Sequence, residues 1–214
     1  MTAGFHFMTQ YSLVELLGLK ANNPSELLEG IRNVPVSSIY YHTHRFLQLH
    51  NYLSPEPPND FAFWLKDILH LEELGEAFLS IDTISFNNLE ELRSKFVEIL
   101  HDYFLIGGNM VDCPKGFEFY FMGCQTFVLP TPYIANNIAE FAEILSKISV
   151  NSLYFHIFEA RMRLGIPEND FSVWLRGIGQ DDLAKQISML DPYNITLENL
   201  RRKIIKMVTK HAQN

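Results

Sequence analysis

Apolar positions along the chain change their period in one order and then do so again. Phe5 and Phe7 flank the polar His6 with the period of two expected of a half-buried strand, and Leu13-Val14-Glu15-Leu16-Leu17 reads as extended too. Phe117 and Phe119, followed by Tyr120-Phe121 and Thr126-Phe127-Val128-Leu129, echo both stretches. Met122-Gly123-Cys124 has the composition of a hairpin turn. The pattern predicts a short β-hairpin or strand pair at the start of each copy, the two joining in a small antiparallel sheet.

The period then shifts to that of a helix. Asn23-Pro24-Ser25-Glu26 supplies an N-cap, a proline at the first helical position and an acid at the third, ahead of Leu27, Leu28, Ile31 and Val34. Asn137 and Glu140 repeat the signal before Phe141, Leu145 and Ile148. A second helix is expected from Ser37 or Ser38 towards His50, matched from Asn151 or Ser152 towards Leu164. Asn59-Asp60 and Asn169-Asp170 open a third, in which Phe61, Trp64, Leu65 and Ile68 share one face. A short fourth helix carries Leu74, Phe78 and Ile81, or Leu183, Ile187 and Leu190. The last holds Leu89, Leu92, Phe96 and Leu100, or Leu197, Leu200, Ile204 and Val208, with Asn87 and Thr196 as expected caps.

This recurrence is an internal duplication. Ser38-Ile39-Tyr40-Tyr41-His42 and Pro57-Pro58-Asn59-Asp60-Phe61-Ala62-Phe63-Trp64-Leu65 return as Ser152-Leu153-Tyr154-Phe155-His156 and Pro167-Glu168-Asn169-Asp170-Phe171-Ser172-Val173-Trp174-Leu175. The offset moves from 112 at Phe5/Phe117 to 114 at His42/His156 and 108 at Arg93/Arg201, with the Asn51–Glu56 region four residues longer in the first copy. The expected fold is mainly α (α+β): two tandem pseudo-twofold repeats, each a strand pair followed by about five helices. Residues 1–104 and 117–214 form the copies and 105–116, rich in glycine punctuation, the linker, all within one compact unit.

Composition narrows the function classes. The chain has 214 residues, 47% apolar, 13% aromatic and 20% charged, an ordinary globular balance. Its net charge of -8 disfavours a nucleic-acid binder, which needs excess Lys and Arg. All of that charge falls in residues 1–104, with 6 basic and 14 acidic side chains, while residues 105–214 carry 11 of each. Two cysteines, Cys113 and Cys124, exclude a disulfide framework or a thiolate zinc site by number. Neither a signal peptide nor an apolar run near the roughly 18 residues of a membrane span is evident, so a soluble cytoplasmic protein is expected.

His42, repeated as His156, is the first candidate for chemistry. Helical spacing sets it between Phe46 and Leu49 on the apolar stripe, which allows a tuned base or ligand donor, or a core histidine bonded to backbone or a buried hydroxyl. The second reading is favoured because both copies keep the residue and both must fold. A straight antiparallel helical hairpin would set Asp60 level with residues 49 and 50, about 12 Å from His42 and nearer His50. N-capping then accounts for Asn59-Asp60 and Asn169-Asp170, and a tight inter-helix contact for Trp64 and Trp174. His42 and His44 point about 160° apart on a helix, and Phe158 and Leu164 replace His44 and His50 in the second copy, so no metal or other cofactor is expected.

Glu72, Glu73 and Glu76 cluster where the second copy has Asp181, Asp182 and Lys185, so the fold does not demand the acidic version. Arg201, Arg202, Lys203, Lys206 and Lys210 give the last helix a basic character. No phosphate-binding glycine loop, nucleophile elbow or HExxH is present.

The run Ile39-Tyr40-Tyr41-His42-Thr43-His44-Arg45-Phe46, with Pro57-Pro58-Asn59-Asp60-Phe61-Ala62-Phe63-Trp64 and Leu74-Gly75-Glu76, resembles an uncharacterised prokaryotic family catalogued as a domain of unknown function. The resemblance implies a grouping and no mechanism. The favoured reading is a non-catalytic intracellular binding or assembly protein. Its partner would be a protein, a small molecule or a second copy of the chain, with no nucleic acid and no membrane. Candidate ligand contacts are His42, His44, Arg45 and His156. The alternative is a hydrolase-like enzyme whose catalytic candidates His42, Asp60 and Glu76 gather with His44 and Arg45 in a cleft of the first copy, the second copy having none.

Overall fold

The computed structural model describes residues 4–45, 59–83, 85–86, 88–160, 163, 166, 168–190 and 195–212. The expected features at Phe46, Leu49, His50, Asn51–Glu56, Pro57, Pro58, Asn87, Leu164 and Pro167 lie outside these residues. Mainly helical (57%), the protein has ten helices and a two-stranded antiparallel sheet among the described residues. No helix among the described residues is long and apolar enough to cross a membrane.

The strands depart from the sequence-based expectation. Two 17-residue strands, β1 (Phe5–Ala21) and β2 (Phe119–Ala135), pair with each other. Hairpins within each copy are therefore not formed, and Met122-Gly123-Cys124 lies inside β2. Phe117 precedes the strand and is exposed; the buried alternation falls on Phe119 and Phe121. Phe5-His6-Phe7-Met8 and Phe119-Tyr120-Phe121-Met122 occupy the start of the two strands, at the same offset of 114 as the histidines. A glycine is tolerated inside β2 because Leu17 of β1 closes over it; a Cβ at Gly123 would lie 3.2 Å from that side chain.

The chain divides into two compact units that cut through both strands. One holds residues 12–125 and the other residues 1–11 with 126–214; they are called the His42 unit and the His156 unit below. The expected linker, 105–116, falls inside the His42 unit.

In the His42 unit, the end of β1 leads into α1 (Pro24–Asn33) and α2 (Val36–Tyr40), which continues as a π-helical turn over Tyr41–Arg45. Then come α3 (Asp60–Phe63), with a π-helical turn over Trp64–Ile68, α4 (Glu72–Leu79) and α5 (Leu89–Leu105). The start of β2 supplies Phe119 and Phe121 to their common core. Phe119 stacks on Phe61 at 5.2 Å, and Phe78 stacks on Phe96 at 4.9 Å. The buried Trp64 packs in this core, its ring also meeting Phe119 and its Nε1–H donating to the Phe117 carbonyl at 2.7 Å. The Phe121 ring presses so closely on α1 that a Cβ at Gly30 would lie 2.1 Å from it.

In the His156 unit, the end of β2 leads into α6 (Ile138–Leu145) and α7 (Val150–Tyr154), continued as a π-helical turn over Phe155–Glu159. There follow α8 (Asp170–Gly177), α9 (Asp181–Ser188) and α10 (Leu197–Ala212). Here the start of β1 supplies the rings: Phe7 stacks on Phe141 at 5.6 Å, while Trp174 stacks on Phe141 at 5.1 Å and meets Phe5 edge-on.

Side-chain caps fix where these helices start. Asn23 and Asn137 accept from the backbone N–H groups of Glu26 and Glu140, as expected. Asn88 caps α5, and Thr196 Oγ1 accepts from the Asn199 N–H at 3.2 Å. Two arginines satisfy the opposite ends, where carbonyls are left without partners. Arg93 donates to the carbonyls of Ile31 and Arg32 at the end of α1, and Arg201 to those of Leu145 and Ile148 after α6. Arg201 is thus a buried structural cation rather than part of a solvated basic face.

Candidate functional site

His42 and His156 each sit in a π-helical turn, whose wider winding re-aims a side chain relative to a regular helix. The His42 Nδ1 lies 2.6 Å from Asp60 Oδ2, and the His156 Nδ1 lies 2.7 Å from Asp170 Oδ2. The separation of about 12 Å inferred from a straight hairpin is therefore incorrect. The aspartate is not the cap either. Asn59 and Asn169 accept from the N–H groups of Ala62 and Ser172, which frees the following carboxylate to face the imidazole from the first helical position.

The second ring nitrogen is engaged as well. The Met122 N–H donates to His42 Nε2 at 2.9 Å, and the Met8 N–H donates to His156 Nε2 at 2.8 Å. A backbone amide only donates, so Nε2 accepts and the single proton of each neutral imidazole sits on Nδ1, donated to the carboxylate. Each histidine thus ties a helix N-terminus to a β-strand, and the strand comes from the other half of the chain. In the His156 unit the Met8 carbonyl is held too, by the Ser152 hydroxyl at 2.6 Å. Phe5 and Phe7 of β1 pack edge-on against the His156 ring.

Burial pushes the His156 imidazole below its ordinary value, against the hydrogen bond and charge of Asp170. Burial also pushes the Asp170 carboxyl up, but the bonds from His156 and Arg163 outweigh it and hold the group below the usual aspartate value. Arg163 donates from Nη2 to Asp170 Oδ2 at 2.7 Å and lies 4.5 Å over the Phe155 ring.

The remaining candidates are not gathered there. Buried His44 lies 2.9 Å from Thr43 Oγ1, bonds to the backbone at Thr83 and stacks on Tyr40 at 5.8 Å. That site is packing: Tyr154 and Phe158 stack in the same way at 4.7 Å. Burial pulls the His44 imidazole down to about 4. Arg45 ends the π-helical turn half-buried, its charge felt by Tyr41. Glu76 points outward from α4 and pairs with Lys66, which also lies 3.9 Å from Glu72. The acidic cluster is partly neutralised by this lysine. Among the described residues, no group of three or more His, Cys, Asp or Glu is placed to hold a metal.

Of the five residues expected to line a cleft, His42 and Asp60 meet, while His44 stacks on Tyr40 and Glu76 pairs with Lys66. The hollow described in the His42 unit, about 290 Å³, lies between Lys20, Glu26, Glu29 and Phe121 and holds none of the five. A larger one of about 620 Å³ opens beside the other pair, in the His156 unit. Phe5, Met8, Phe155 and Trp174 wall it, and His6, His156, Arg163 and Asp170 form its polar side.

Two features escaped the sequence reading. The strand partners Met8 and Met122 were signalled by the repeated Phe-x-Phe-Met, obscured by aligning Phe5 with Phe117. Arg163 had a weaker signal: at the offset of 114 the sequence has Leu49, an apolar-to-cationic difference.

The fold is shared with a solved structure, OrfY from Thermoproteus tenax, at a TM-score of 0.81 and 24% identity, covering 100% of this chain and 99% of that one. No curated protein matches the chain. A family profile spans residues 2–209, and the chain belongs to that family of unknown function, DUF5752.

Proposed function

We propose that the protein is a non-catalytic, cytoplasmic binding or assembly protein built by duplication of one ancestral unit. The observation that carries this reading is the full engagement of both imidazoles. A general base needs a lone pair within reach of a substrate proton, and a general acid needs a proton free to leave. Here Nδ1–H is given to a carboxylate and the Nε2 lone pair to a strand amide, in both units. The arrangement is that of a brace. Support for the duplication comes from the repeated motifs and from the same pair of bonds, the Met–His bond at an offset of 114 for both residues and the His–Asp bond with its aspartates at 110.

The test is a turnover screen over esters, phosphoesters, glycosides and peptides, run on the full chain and on His42→Gln and Asp60→Asn. No turnover above background is expected from any of the three. Turnover that disappears in a folded Asp60→Asn variant would establish the hydrolase reading instead.

A further inference from the structure

We infer that the hollow of the His156 unit binds a small organic carboxylate with an apolar or aromatic body, held by Arg163 at its polar end. The inference deepens the non-catalytic reading above by giving the binding protein a site and a ligand class.

The hollow, about 620 Å³, is within the range of small-molecule sites. Its walls are mostly ring and aliphatic surface from Phe5, Met8, Val128, Phe155, Val173 and Trp174. Such walls remove the body of a ligand from water but give it no orientation. Orientation falls to the polar side, where His156 and Asp170 are already committed and the exposed His6 and Arg163 remain. His156 has both nitrogens engaged, and Asp170 Oδ2 receives both His156 and Arg163. The aspartate charge is thereby met within the protein, so it offers little to a cationic ligand.

Arg163 differs. Its side chain is 46% exposed, and among the described residues its hydrogen-bond partner is Asp170 through Nη2 alone. The guanidinium is restrained at two points, by lying 4.5 Å over the Phe155 ring and by its bond to Asp170. A planar fork held in this way presents its other N–H groups in a set direction, the geometry that a carboxylate accepts in two parallel bonds. The brace supplies the rigidity, since it holds Asp170 and, through Met8, the strand that carries Phe5. Leu49, at the matching position of the first copy, cannot play this part.

The experiment is ligand-observed NMR titration of the full chain with 3-phenylpropionate and indole-3-acetate, their uncharged amides, and phenylethylamine. The carboxylates are expected to bind at least tenfold more tightly than the amides, and the amine more weakly than either. Arg163→Gln should lose that tenfold preference while still binding the amides as before, and Trp174→Leu should weaken carboxylates and amides alike. Thermal melts confirm that each variant is folded. Equal binding of carboxylate and amide, preference for the amine, an unchanged preference in Arg163→Gln, or no binding by any compound overturns the site. Chemical conversion of a bound compound would instead overturn the non-catalytic reading and leave the site standing.

Discussion

His42 and Asp60, 18 residues apart, meet at 2.6 Å through the nitrogen that faces away from the strand held by the same ring. One side chain therefore joins a helix start to a strand from the other half of the chain. Removing it leaves a partly buried carboxylate and a partly buried strand amide without this partner, although Asp170 keeps the bond from Arg163. His42→Ala and His156→Ala are each expected to lower stability by about 2 to 3 kcal/mol, the cost of losing a hydrogen bond to a charge together with one to a strand amide. Urea unfolding of the two variants checks this, and a loss under about 1 kcal/mol would deny the brace its structural role.

A hydroxyl next to each brace should act unequally. Ser152 donates to the Met8 carbonyl, whereas the Ser38 hydroxyl, at the matching position, is buried and finds no partner among the described residues. Ser152→Ala is expected to cost about 1 to 2 kcal/mol and Ser38→Ala close to nothing. The comparison uses the same substitution in both units, read by denaturant midpoint.

Acid sensitivity should trace to His44. Its folded value of about 4 lies below the roughly 6.5 of an unfolded histidine, so the unfolded chain takes up the proton first as pH falls. The contribution is complete above about pH 6.5 and is lost between there and pH 4, amounting to about 3 kcal/mol. His156, also depressed, acts in the same direction. The second copy already carries a phenylalanine at this position, Phe158. His44→Phe should therefore flatten the slope of urea midpoint against pH between 7 and 4.5 and cost little at pH 7.

Gly30 should resist a change that helix propensity favours. Alanine suits a helix interior better by about 1 kcal/mol. The fully buried Phe121 ring leaves no room for its methyl group. Gly30→Ala is expected to destabilise by about 1 to 3 kcal/mol, the usual cost of overpacking. A more stable variant would mean that Phe121 does not sit against α1.

The helices were legible because each carries its own signals. Asn23, Asn59, Asn137 and Asn169 announce helix starts locally, and the apolar spacing around Phe61 or Phe96 is that of a buried face. The joining of the two extended stretches was expected, but not that each runs on as one 17-residue strand, because nothing within residues 5–21 says that the chain does not fold back on itself. Gly123 looked like a turn residue, yet it is a glycine because Leu17 crosses it. The His–Asp contact was hidden for a related reason: a π-helical turn breaks the rise and rotation from which a distance along a helix is counted. Arg163 was visible only as a difference from Leu49, and difference alone does not say what a side chain faces.

The brace is tested most directly by nitrogen-resolved NMR of the histidine rings at neutral pH, with assigned Met8 and Met122 amides. For His42 and His156 the proton should be found on Nδ1, Nε2 should be bare, and a through-hydrogen-bond coupling should link each Nε2 to its strand amide. A proton on Nε2, or a doubly protonated ring, in either residue would contradict the account.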